Sequence, residues 1–279
     1  MIESFTAEAV KLGKRPAVWT VVGAWVVLSL VFGYVFPYAN AETGSGGTGS
    51  DGPDPTAGDL AGALPAELVP TAIGGYPMFA GALALIVGVL AVGGEYGWDT
   101  MKALLTMGPR RESVMAGKLA ALVALLLPVV LLAFGADASA SLLVAAFTDN
   151  PAQWPPADEV LTGVGAAWLM VSMWALAGAF LATLVRGTAL AVGLGVVWAL
   201  AVENLLRLFG SSLEAVEAVQ SYLPGTTAGS LAASLGVEPG STPGVTDAVD
   251  GGTAILVLVG YVVVFAGASI LLVRRRDVA

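Results

Sequence analysis

Residues 119–147 read LAALVALLLPVVLLAFGADASASLLVAAF. The stretch contains one acidic residue, Asp137, and no basic one. A bilayer core of about 30 Å takes about 20 mostly apolar helical residues. This run is long enough to cross one and too apolar to coat a soluble domain. Pro128 and the polar patch at 137–141 interrupt it. The favoured reading is a kinked span followed by a short outer interfacial or re-entrant piece.

Similar runs occur at 17–37, 76–94, 160–184, 188–206 and 253–273. The expected fold is therefore an all-α polytopic membrane protein, a single transmembrane domain over 1–279 with six membrane spans. Composition agrees. The 279 residues are 57% hydrophobic and 12% charged, against roughly 45–50% and about 25% in soluble domains. The first run is too long for a signal-peptide core and ends in aromatics and Pro37, so it reads as a retained span. There is no histidine and no cysteine. That excludes Ser-His-Asp and Cys-His catalysis, imidazole and thiolate metal sites, and disulfides. No catalytic or metal-binding residue is expected. A net charge of −9 argues against nucleic acid as a partner.

Basic residues orient the chain. Lys11, Lys14 and Arg15 precede the first span. Lys102, Arg110, Arg111 and Lys118 lie between the second and third, Arg186 between the fourth and fifth, and Arg274, Arg275 and Arg276 after the sixth. Only Arg207 falls on the other side. Both termini are therefore expected in the cytoplasm. Residues 1–16 read as an amphipathic helix on the cytoplasmic leaflet, with Phe5, Val10 and Leu12 set against Glu8, Lys11 and Lys14; its basic residues favour anionic lipid. Residues 38–75 read as a flexible outer loop rich in Gly, Ser, Asp, Thr and Pro. The outer loop 207–252 is expected to carry two short amphipathic helices, one over 211–220 capped by Ser212, the next starting at Thr226 or Thr227 after Pro224.

The most informative connection is 95–118, EYGWDTMKALLTMGPRRESVMAGK. The stretch 99–107 reads as a short helix with Thr100, Ala103, Leu104 and Met107 on one face. Gly108 and Pro109 break it. Arg110, Arg111 and Glu112 open the next helix. A short exposed helix of this kind can dock into a groove on a soluble partner.

This loop, within this order of elements, resembles that of ABC transporter permeases of the ABC-2 type. Those show an acidic residue leaving the second span, then Thr, Leu-Leu, Pro with Arg-Arg, and a Lys entering the third span. Here the positions are Glu95, Thr100, Leu104, Leu105, Pro109, Arg110, Arg111 and Lys118. Asp99 stands where the family often has Gly. The resemblance implies that Tyr96, Thr100, Lys102, Leu104, Pro109, Arg110 and Arg111 form a coupling helix docking on a separate ATP-binding subunit. It also implies that Glu95 pairs with a basic residue at the membrane boundary, and that two such permease chains join two ATPase chains. A prokaryotic plasma membrane and export are implied in the same way. ATP and Mg would be bound by the partner and no cofactor by this chain, which has no G-x-x-x-x-G-K-[ST]: around MAGK, Glu112 takes the place of the first Gly and Leu119 that of the Ser/Thr.

Inside the spans, Glu203 and Arg207 are four residues apart and can face each other, as an interfacial ion pair or an outer gate. Trp168, Trp174 and Trp198 are candidates to line a path for hydrophobic or amphipathic cargo, packing being the plainer role. Gly81, Gly88, Gly163, Gly165, Gly193, Gly195, Gly260 and Gly267 would let helices approach closely. A self-contained secondary transporter or channel is the alternative function. It would be favoured by internal repeats or a relay of buried carboxylates, neither of which is evident. A membrane enzyme ranks last.

Overall fold

The computed structural model describes residues 2–43, 60–97, 110–210 and 219–275. Among them six helical runs are long and apolar enough to cross a membrane: Pro16–Ala41, Pro65–Tyr96, Arg111–Phe147, Ala157–Val185, Thr188–Arg207 and Gly251–Arg275. The described residues contain no strand. The chain is an all-helical, multi-pass membrane protein.

The second and fourth spans form the buried centre and pack along each other. Their backbones meet because glycine removes the side chain at the crossing. A Cβ on Gly88 would run into the backbone of Ala175, and one on Gly178 into that of Leu85. Leu85, Val89, Met170, Met173 and Trp174 fill the rest of the interface and are buried. The first, fifth and sixth spans are mostly exposed in the single chain. Asp250 starts the sixth by accepting the Thr253 amide at 3.0 Å and the Thr253 hydroxyl. These bonds hold its carboxyl below the ordinary aspartate range.

Several expectations need correction. The run 111–147 is one continuous helix with Pro128 inside it, not a span plus a re-entrant piece. Its polar patch does not break it, because Asp137 and Ser141 turn inward and are buried while Ser139 bonds back to the Gly135 carbonyl. At 1.5 Å per residue the helix is about 55 Å long and extends past a bilayer core. The second helical run starts at Pro65, so the outer loop is shorter than 38–75. Leu68, Val69, Ala72 and Ile73 are buried there, and the run reaches the rest of the span through a π turn at Tyr76–Ala80. Of the two short outer helices, the one expected over 211–220 lies largely outside the described residues. The other begins at Pro224, not at Thr226 or Thr227, and Pro224–Ala233 is buried on nearly every side rather than amphipathic. Its small residues, Gly225, Ala228, Gly229 and Ser230, let it sit between the sixth span and the π turn of the second.

The N-terminal helix, Ile2–Gly13, does not present the expected faces. Leu12 is buried, but Val10 is 52% exposed and Glu8 is buried. The helix packs on the start of the third span, where Gly117 admits Ser4. Trp19 donates to the Gly13 carbonyl at 2.7 Å, and Arg15 donates to Leu90 of the second span at 2.6 Å. Arg274 pairs with Glu112 at 3.2 Å. The N-terminal helix and the end of the sixth span thus lie at one face, here the terminal face.

Candidate coupling and gating sites

At the terminal face three helices meet through four charges. Glu95 ends the second span, Lys118 lies in the first turns of the third, and Glu8 and Lys11 belong to the N-terminal helix. Lys118 is 0% exposed and Glu95 2%. The Lys118 ammonium donates to Glu95 Oε1 at 2.6 Å and lies 2.9 Å from Glu8 Oε2. Lys11 closes the ring by donating to Glu95 and approaching Glu8 at 3.6 Å. Two negative and two positive charges cancel, which is the condition for burying them. The connection between Glu95 and Lys118 is therefore clamped at its root: the residues entering and leaving it bond to each other and to the N-terminal helix. Beside this root Arg110, Arg111, Glu112 and Arg274 line an open cleft.

At the opposite face the Glu203 carboxylate is fully buried. The Trp198 indole N–H donates to its Oε1 at 2.9 Å. Arg207 approaches its Oε2 at 3.9 Å and donates to Asn204 at 3.0 Å. The backbone amides of Gly225 and Thr226, at the start of the buried short helix, also reach the carboxylate. A helix N-terminus favours such a negative charge. Glycine is required at 225, since a Cβ there would collide with the carboxylate. Gly225→Val is accordingly expected to lower the unfolding temperature by several degrees. Gly260→Val, where nothing lies within 4 Å, should change it by less than about 2 °C; thermal unfolding of both variants in detergent checks this.

The expected Glu203–Arg207 pair is thus present, inside a larger cluster. Trp198 and Glu203 are five residues apart, which in a regular α-helix puts them about 140° apart around the axis. A π turn at Trp198–Val202 shifts that register and brings them together. The three tryptophans do not share one path. Trp168 donates to the Val123 carbonyl at 2.9 Å and ties the fourth span to the third. Trp174 is buried in the core over Gly81. Trp198 is 42% exposed.

The family model for ABC-2 family transporter proteins matches residues 61–278. The chain belongs to the ABC-2 transporter family. It is a permease subunit, a transport component rather than an enzyme, and ABC-2 permeases generally work with an ATP-binding subunit. No curated protein sequence matches this chain significantly. Of the residues that the resemblance marks for coupling, Thr100, Lys102, Leu104 and Pro109 lie outside the described residues. Glu95, Tyr96, Arg110 and Arg111 lie within them, at the two ends of the ABC-2 loop. Sequence reasoning did not place Glu8 and Lys11 in the cluster; their signal was an i, i+3 acid–base pair on the helix preceding the first span. The Gly225 and Thr226 amides left no sequence signal, because backbone donors belong to every residue.

Proposed function

We propose that this permease exports a hydrophobic or amphipathic substrate, driven by a separate ATP-binding subunit that docks on the connection 95–118 at a cytoplasmic terminal face. The observation that carries the reading is the clamp at the root of that connection. With Glu95, Lys118, Glu8 and Lys11 bonded as one unit, a push on the connection moves the second span, the third span and the N-terminal helix together. The orientation rests on the sequence, in which eleven of the twelve basic residues fall in the segments on one side of the expected spans. Arg110 and Arg111 flank the cleft and offer positive charge to an acidic groove on the partner. Two copies of this chain, or this chain and a similar one, complete the transporter in a prokaryotic plasma membrane, and ATP and Mg stay on the partner. At the outer face, Glu203 with Arg207, Trp198 and the Gly225 and Thr226 amides acts as a closed gate. Trp198, exposed beside that carboxylate, is the indole best placed to meet departing cargo.

The test is a pulldown of the tagged chain from its native membrane in mild detergent, beside Arg110→Glu/Arg111→Glu. A stoichiometric ATP-binding protein is expected with the wild type, and at least tenfold less of it with the double variant. A chain that emerges alone and moves solute in liposomes without ATP would overturn the reading in favour of a secondary transporter or channel.

A further inference from the structure

Away from the two charged clusters, another ionisable group is buried among the described residues. Asp137, in the third span, is 1% exposed. The Ser29 hydroxyl of the first span donates to its Oδ1 at 2.9 Å. Its Oδ2 has no hydrogen-bond partner. Two tyrosines of the neighbouring spans pack on the same helix on either side of Asp137: Tyr76 of the second span against Phe134, and Tyr34 of the first span with Val144. Both are at least nine-tenths buried, and neither hydroxyl has a partner. Each sits in a π turn, Val31–Val35 and Tyr76–Ala80, a helix irregularity frequent at functional sites. Trp25 meets the Tyr76 ring edge-on at 5.2 Å and Phe134 meets it at 6.4 Å.

No cation answers the charge. Ser29 is the side chain bonded to it, and no described lysine or arginine lies against it. The nearest basic residue on its own helix, Lys118, is nineteen positions away, about 28 Å along the axis. A carboxylate isolated in hydrocarbon is strongly disfavoured. The three spans bring one carboxylate and three hydroxyl oxygens to this region, and Oδ2 of the carboxylate and both tyrosine hydroxyls are without hydrogen-bond partners.

We propose that Ser29, Tyr34, Tyr76 and Asp137 form a binding site for a single monovalent cation between the first three spans. One carboxylate is too few for a divalent ion, which takes several charged oxygens, and among the described residues no three acidic, His or Cys side chains come together. The positive charge has two sources, an alkali ion or the ammonium group of a cationic molecule. The alkali source stands apart from the export reading. The ammonium source rests on it and would make cationic amphiphiles the cargo. Because the site joins three helices, its occupancy holds them together from inside.

Binding to the purified chain in nanodiscs tests this and needs neither a partner subunit nor transport, so its failure is separate from failure of the export reading. The probes are radiolabelled sodium, radiolabelled rubidium as a stand-in for potassium, and radiolabelled dodecylammonium at constant ionic strength. Saturable binding of one ion per chain is expected, at least tenfold weaker in Asp137→Asn and several-fold weaker in Tyr34→Phe/Tyr76→Phe, which keeps the carboxylate. Sodium or rubidium binding with this pattern assigns an inorganic ion, and dodecylammonium binding with this pattern assigns a cargo headgroup. Without cation, Asp137→Asn should unfold no earlier than the wild type, since a neutral amide of the same shape needs no counter-charge at a buried position. Absence of binding by all three probes, or binding that survives both variants unchanged, would overturn the proposal.

Discussion

Lys118→Met should be among the most damaging single substitutions at the terminal face, costing about 3–5 kcal/mol. The side chain is completely buried and lies between Glu95 and Glu8. Removing its charge leaves two buried carboxylates sharing Lys11, which is partly exposed. Glu95→Gln/Lys118→Met should recover most of the loss, because the Glu8–Lys11 pair then balances itself. The non-additivity of the double-mutant cycle measures the coupling directly. Arg274→Met is the contrast. Its pair with Glu112 is exposed on both sides, and such pairs contribute about 0–1 kcal/mol. Thermal unfolding of the wild type, Lys118→Met, Glu95→Gln, the double variant and Arg274→Met in one detergent checks the set. A Lys118→Met chain as stable as Arg274→Met would mean the buried network does not hold the terminal face together.

Gly88→Leu and Gly178→Leu should each prevent normal folding. Overpacking a core side chain typically costs about 1–3 kcal/mol, but here the obstacle is backbone: Ala175 against Gly88, and Leu85 against Gly178. Backbone cannot rotate aside, so the second and fourth spans would have to separate along the most buried interface of the molecule. Gly165→Leu, Gly193→Leu, Gly260→Leu and Gly267→Leu meet open space and should yield monodisperse protein at wild-type levels. Size-exclusion profiles of fluorescently tagged variants separate the two groups. Equal profiles would show that the central crossing is looser than the close approach of these backbones requires.

The two series show where sequence reading succeeds and stops. Hydropathy and chain length mark the spans, because a bilayer imposes the same demand on each of them. The same reasoning ranked Gly88 with Gly260 as small residues and did not single out Gly178, because composition cannot say which side of a helix meets another helix. It marked Glu203 and Arg207 through their i, i+4 spacing. The bond from Trp198, marked only as a candidate path residue, to Glu203 escaped because a π turn changes the register, and Gly225 escaped because it lies far along the chain. The polar patch suggests a break within 119–147; packing instead turns Asp137 and Ser141 inward and keeps the helix Arg111–Phe147 whole.

By itself the sequence determined the class of protein, the number of crossings, the distribution of basic charge and the loop that carries the ABC-2 resemblance. These follow from local properties: the length and apolarity of each run, and the residues between runs. The tertiary structure decided which charges meet. Glu8, Lys11, Glu95 and Lys118 come from three helices, and the Ser29–Asp137 bond joins two more distant stretches of chain. Their pairing depends on helix rotation and depth, which are set by close packing between helices far apart in the chain.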